Sequence, residues 1–266
     1  MDDQTKMVSG EASQQVSDGG PLVTLAIVVL FAAFPLLTPK LMVGIGGLIA
    51  VLTAIGWCMR WTMAAAVGVF SVFCVAFALF GLPSQLWFAI GLAGYAAALK
   101  LSPHREGAEW FRAGTVTRDV CLLIAVSILT SAIALVMWFV TLRPDIGDLI
   151  ARFVPDWPWP ALILGGLIFS MLNAAVEELA YRGVLMDALE KSIGPGFVAL
   201  LGQAAAFGVL HINGFPRGWM GVALASVFGV LMGLLRRRSG GLLAPWAAHV
   251  CSDIVIVAVV VFFAQA

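Results

Sequence analysis

Nine apolar stretches follow one another along this chain, and no polar block between them is long enough to fold by itself. They are 22–39, 41–58, 61–81, 83–100, 120–142, 161–189, 195–211, 219–235 and 242–264. A membrane-spanning helix needs about 20 mostly apolar residues. The fold class expected is therefore all-α, a polytopic transmembrane helical bundle of eight to nine spans. Pro35 and Pro39 mark either a turn between two spans, which gives nine, or a break within one, which gives eight. Composition agrees, with 61% hydrophobic and 11% charged residues, against about 25% charged in a soluble domain.

The organisation expected is a disordered tail over 1–20, a four-helix region over 21–119 and a transmembrane core over 120–266. The formal net charge is zero, which argues against a nucleic-acid partner. Cys58, Cys74, Cys121 and Cys251 are scattered over apolar segments without a CxxC pair and read as small buried hydrophobes. Asp2 and Asp3 stand where a signal peptide would be basic, so no cleaved leader is expected. The connections 101–119 and 144–156 read as interfacial, the second running into an aromatic belt and helix start at Trp157-Pro158-Trp159-Pro160.

Orientation follows from the basic residues of the connections. With nine spans, Lys6, Arg60, Lys100, Arg105, Arg112, Arg118, Lys191 and Arg236 to Arg238 gather on the side of the N-terminus. Only Lys40, Arg143, Arg152 and Arg217 gather opposite. An integral protein of the cytoplasmic membrane with its N-terminus inside is the expectation.

The two halves differ in their polar content. The first four segments are almost free of ionisable groups, whereas the last four carry Glu177, Glu178, Arg182, His211, His249 and Asp253. A charge at the centre of a spanning helix costs about 2.5–3.5 kcal/mol on insertion scales and marks a functional site by default. Glu178 and Arg182 stand at i and i+4, the favourable order for an ion pair. That pair is expected to brace the helix. Glu177 lies about 100° round the axis, flanked by Asn173 and Tyr181, and is left for a cavity.

Gln203, Phe207 and His211 share one helix face, as do His249 and Asp253. A hairpin about Gly194-Pro195-Gly196 brings His211 to the depth of Glu177. Measured from its own turn, His249 comes out roughly 10 Å shallower. Gly229 and Gly233, with Gly202, Ala204, Ala206 and Gly208 on the preceding helix, would allow close approach.

A carboxylate and two histidines in a wet cavity are the parts of a hydrolase. Glu177 with His211 would hold and deprotonate a water, while His249 and Asp253 would stabilise the developing oxyanion. Ser252 and Cys251 fall on other faces, so an activated water is expected rather than an acyl-enzyme. Zinc on Glu177, His211 and His249 is the rival chemistry, but HExxH is absent and the expectation is no cofactor. His104 lies in a loop.

EELAYR (177–182), FGVLH (207–211) and HVCSD (249–253), in this order on late spans, resemble the three motifs of the CAAX-processing and bacteriocin-processing membrane endopeptidases, the CPBP or Abi family. The family patterns are EExxxR, FxxxH and HxxxN or HxxxD, and the likeness covers roughly 160–260. It implies an intramembrane protease open to the cytoplasmic side, with Glu177 and His211 activating water and His249 with Asp253 at the oxyanion. Glu178 and Arg182, with Asn173 and Phe207 beside the motifs, would be supporting. The resemblance also implies either glutamate-type or metal-dependent chemistry. Asp253 stands where prenyl-protein proteases carry Asn, which loosens the inference to prenylated substrates.

Expected partners are the bilayer and a membrane protein or a lipidated or leader peptide as substrate. Two other classes compete: an ion-coupled transporter, which calls for polar broken helices in both halves, and a non-catalytic immunity or scaffold member of the same fold.

Overall fold

The computed structural model of the chain describes residues 20–102, 108–145, 147, 150–151 and 154–264. The tail before Gly20, His104 and most of the 144–156 connection lie outside the described residues. Nine helical rods are described in full, and there is no strand among the described residues. They are α1 (Gly20–Ala33), α2 (Pro39–Cys58), α3 (Thr62–Leu79), α4 (Ser84–Leu101) and α5 (Arg118–Leu142). Then come α6 (Trp159–Ile193), α7 (Phe197–Leu210), α8 (Gly218–Ser239) and α9 (Leu243–Ala264).

The rods fall on the nine apolar stretches because local chemistry starts and stops them there. Pro39 and Pro160 occupy first-turn positions of α2 and α6, where a missing N–H costs nothing. The Thr117 hydroxyl accepts from the Val120 N–H at the start of α5. Gly240, at φ +67°, ends α8 in the left-handed region. Six rods (α2, α3, α5, α6, α8 and α9) are long and apolar enough to cross a membrane by length and composition. The apolar rods at 20–36 and 197–210 are shorter.

Chain order and spatial order diverge after α4. The rod α6 packs against α4 and α9, α7 against α8 and α1, and α5 against α8 and α9. One buried cluster crosses from the first half into the second through Phe31, Phe70, Phe88, Tyr181 and Phe207. Its rings follow one another at 5.4, 6.2, 5.7 and 5.1 Å between centroids. A smaller cluster of Val120, Met232, Leu235, Ala244 and Ala248 joins α5, α8 and α9.

Close approach of α7 and α8 depends on missing side chains. A Cβ at Gly229 would sit 2.9 Å from the Ala204 Cα, so the two backbones touch as the small-residue pattern predicts. At one end of the bundle, Glu190 near the end of α6 pairs with Arg237 near the end of α8 at 2.7 Å. At that same end the segment before α5 hydrogen-bonds the α8–α9 turn through its backbone. Leu242 N–H donates to Arg112 O at 2.8 Å, Leu243 N–H to Ala113 O at 3.0 Å and Thr115 N–H to Ser239 O at 2.8 Å. A connection expected to be interfacial padding is thus fastened over the entry to α9.

Candidate active site

The site is built on three rods, α6, α7 and α9, and each ionisable group is held by a different local device. On α6 the helix passes from α to π geometry at Leu179–Leu185, directly after the two glutamates. Such single-turn widenings gather at functional sites. Glu177, Glu178 and Arg182 all point inward and are buried, Arg182 completely.

Arg182 Nη1 donates to Glu178 Oε1 at 2.7 Å, as the i, i+4 spacing predicts. The guanidinium also lies 4.8 Å from the centre of the Phe207 ring and donates from Nη2 to the Gly229 carbonyl at 3.3 Å. Gln203 donates to that same carbonyl at 2.9 Å. The missing side chain at 229 lets a helix carbonyl serve a buried cation.

His249 is the hub. Its Nδ1 lies 2.7 Å from Glu178 Oε1, and its Nε2 lies 3.6 Å from both Glu177 Oε2 and Asp253 Oδ1. Two carboxylates about 100° apart on one helix therefore straddle a single imidazole. Glu178 accepts from Nδ1–H, which fixes the ring's orientation. Nε2 faces two carboxylate oxygens at once. Glu178 is thus more than a brace for its own helix.

The expectation that His249 would lie shallower than Glu177 is overturned. It took the turns after α6 and α8 to be level. The α6 end overshoots instead: a Cβ at Gly183 would lie 3.6 Å from Leu242, so the α8–α9 turn sits beside Gly183 and not beside Gly194. Six residues separate 183 from 177 and six separate 243 from 249, which brings Glu177 and His249 to one level.

His211 sits just past the end of α7, half-buried, with its ring 4.7 Å from that of Phe207. Its Nδ1 lies 3.0 Å from the Phe207 carbonyl oxygen. A carbonyl only accepts, so Nδ1 carries the proton and Nε2 is left as the acceptor nitrogen. Among the described residues no ion pair joins His211 to Glu177; the direct partner of Glu177 is His249.

A cavity of about 160 Å³ opens beside the cluster, between α5, α8 and α9. His211, His249 and Asp253 are among the residues that line it, and Phe207, Phe228 and Leu231 supply apolar wall. Glu177 is not part of that lining; its Oε2 lies 3.6 Å from Nε2 of His249, which is. Ser252 also lines the cavity, with its hydroxyl bonded to Ser131 of α5 at 2.8 Å. For a metal, the three side chains would have to converge. Among the described residues no group of three or more His, Cys, Asp and Glu side chains is placed to hold an ion. His249 Nδ1 is engaged by Glu178, and His211 is turned to its own backbone. The residues as arranged do not fit the zinc ligand set Glu177, His211 and His249.

Asn173, one turn before Glu177, donates from Nδ2 to Asp253 Oδ2 at 3.0 Å. Its Oδ1 accepts from Gln85 Nε2 of α4 at 2.7 Å. Sequence reasoning placed Asn173 among the supporting residues but missed Gln85. A neutral amide in the first turn of α4 carries no charge to mark it in an apolar stretch.

Buried carboxylates of α6 and α9 thus gather round one imidazole beside a cavity, in a bundle with six rods long and apolar enough to cross a membrane. Residues 157–255 match the family model described as type II CAAX prenyl endopeptidase Rce1-like. The likeness drawn from the three motifs is thereby shown for the segment that carries them, and at family level it is a likeness to membrane endopeptidases of the CAAX type. No curated protein and no solved structure matches the chain.

Proposed function

We propose that this protein is an intramembrane endopeptidase that hydrolyses a peptide bond of a membrane protein or of a lipidated or leader peptide by means of an activated water. The observation that carries the reading is the convergence of Glu177, Glu178 and Asp253 on His249 within 3.6 Å, beside a cavity inside the bundle. Three carboxylates against Arg182 and one imidazole leave an excess negative charge even when His249 is protonated.

In this mechanism Glu177 accepts a proton from water as the hydroxide oxygen attacks the scissile carbonyl carbon. His211, with Nε2 free as an acceptor, helps to hold that water. The carbonyl oxygen gains the electron pair of the broken π bond and is met by the Nε2–H of His249, whose ring Glu178 holds from the far side. Collapse of the tetrahedral intermediate breaks the C–N bond, and the proton held by Glu177 passes to the departing amine nitrogen. Asp253 keeps His249 Nε2–H directed at the site.

Residues 120–266 form the catalytic core in this reading and 21–119 a supporting region. The protein lies in the cytoplasmic membrane with its N-terminus inside. The clustering of Arg112, Lys191 and Arg236 to Arg238 near the one bundle end that bears the Glu190–Arg237 pair supports this orientation.

The test is a comparison of membrane proteomes from cells carrying the wild-type chain, Glu177→Gln or no copy. One protein terminus should shift in wild-type cells alone. Identical termini in all three would remove the proteolytic reading, and a shift that persists with Glu177→Gln would remove its base.

A further inference from the structure

Beside the Phe88–Tyr181 ring contact, α4 and α6 are joined next to the site by a side-chain hydrogen bond between Gln85 and Asn173. Asn173 sits between a carboxylate and an amide, and only one orientation of its side chain satisfies both. Asp253 Oδ2, 3.0 Å away, accepts and does not donate, so it must face the Asn173 NH2. The Asn173 carbonyl is then turned to α4, where it requires a donor, and Gln85 Nε2 supplies one at 2.7 Å. Without that donor the amide is free to flip, which would set its oxygen against the carboxylate.

We infer that Gln85, in the first turn of α4, is a positioning residue for the hydrolytic site, acting through the hydrogen-bonded juxtaposition of Asn173 and Asp253. The relay divides the labour of the Asp253 carboxylate. Oδ2 is tied to α6, and Oδ1 is left 3.6 Å from His249 Nε2. Gln85 touches neither the cavity nor His249; its effect reaches the imidazole through two side chains. It also lies outside the residues that match the family model, so the segment bearing the motifs depends on the first half of the chain for one of its restraints. The inference rests on the proposed hydrolytic reading for its consequence in rate, while the relay itself is a matter of geometry.

The experiment separates the two. The full chain, labelled with ring-15N histidine and held in nanodiscs, gives resonances from three histidines; His104→Gln and His211→Gln assign that of His249. Gln85→Leu removes the donor at similar size, and Gln85→Met replaces it should the leucine variant fail to insert. The expected result is a moved His249 ring resonance in the Gln85 variant. In an Asn173→Ala background the same substitution moves it no further, because the intermediary is gone. Processing of the native substrate falls on the order of 10-fold, the scale of a slightly misplaced catalytic group. An unmoved His249 resonance overturns the relay, and so do shifts that add in the double variant. If the wild-type chain processes nothing, the proteolytic reading fails while the resonances still decide the relay.

Discussion

Glu178 carries stability and chemistry through one oxygen atom. Its Oε1 accepts from Arg182 and from His249, each at 2.7 Å. Glu178→Ala leaves a fully buried guanidinium without its carboxylate, a loss of about 3–5 kcal/mol for a broken buried pair. The variant should therefore insert at reduced yield, measured as folded protein after detergent extraction, and the surviving fraction should process substrate more slowly because His249 is no longer held. Glu177 is different, for its carboxylate serves no helix pair. Glu177→Gln, nearly isosteric, should reach the membrane at wild-type yield with processing lost, read by immunoblot of the substrate. Since the site residues do not converge as zinc ligands, a strong chelator should leave processing of purified substrate unchanged. Loss of activity with chelator and its return with zinc would replace the mechanism given above.

At the scale of the element, two backbone approaches set where the functional side chains stand. The α7–α8 contact has no room at Gly229, where a Cβ would lie 2.9 Å from the Ala204 Cα and 3.2 Å from its carbonyl. Gly229→Ala should push the rods apart, at a cost of about 1–3 kcal/mol for overpacking, and lower the unfolding temperature in detergent. The same shift withdraws the Gly229 carbonyl from Arg182 and Gln203, so activity should fall further than stability alone explains. A second approach lies at the α8–α9 turn, where a Cβ on Gly241 would run into the backbone of Ala113 and Gly114. Gly241→Ala should release the 112–115 segment, detectable as faster amide exchange at Thr115, Leu242 and Leu243, whose N–H groups make the joint.

At the scale of the molecule, the two halves are one packed body. The ring series from Phe31 to Phe207 and the Gln85–Asn173 bond both cross from the first four rods to the rest. A transporter built on paired broken helices would show polar interruptions in each half; here the ionisable cluster belongs to the second half, and the first adds one amide. Orientation is testable on the whole chain. In a cysteine-free background, Arg238→Cys should resist a membrane-impermeant thiol reagent in intact cells, while Arg143→Cys at the opposite end should react. The reverse pattern would invert the topology and place the basic connections outside.

The order of apolar stretches and turn signals in the sequence by itself determined that the chain is a helical bundle, which stretches become its rods, and that Glu178 pairs with Arg182. All of these are local, decided within a few residues by helix periodicity, hydropathy and capping. The three motifs could also be picked out, because charge is costly in hydrocarbon wherever the rods end up. Relative height could not be read from the chain: only packing placed the α8–α9 turn beside Gly183, bringing His249 to Glu177 and leaving His211 to its own backbone carbonyl. Nor could the partners of a neutral amide be read, since Gln85 and Asn173 are 88 residues apart and meet only because α4 and α6 pack side by side. Tertiary structure decided which groups meet, through the positions in which interlocking side chains let rigid rods settle against one another.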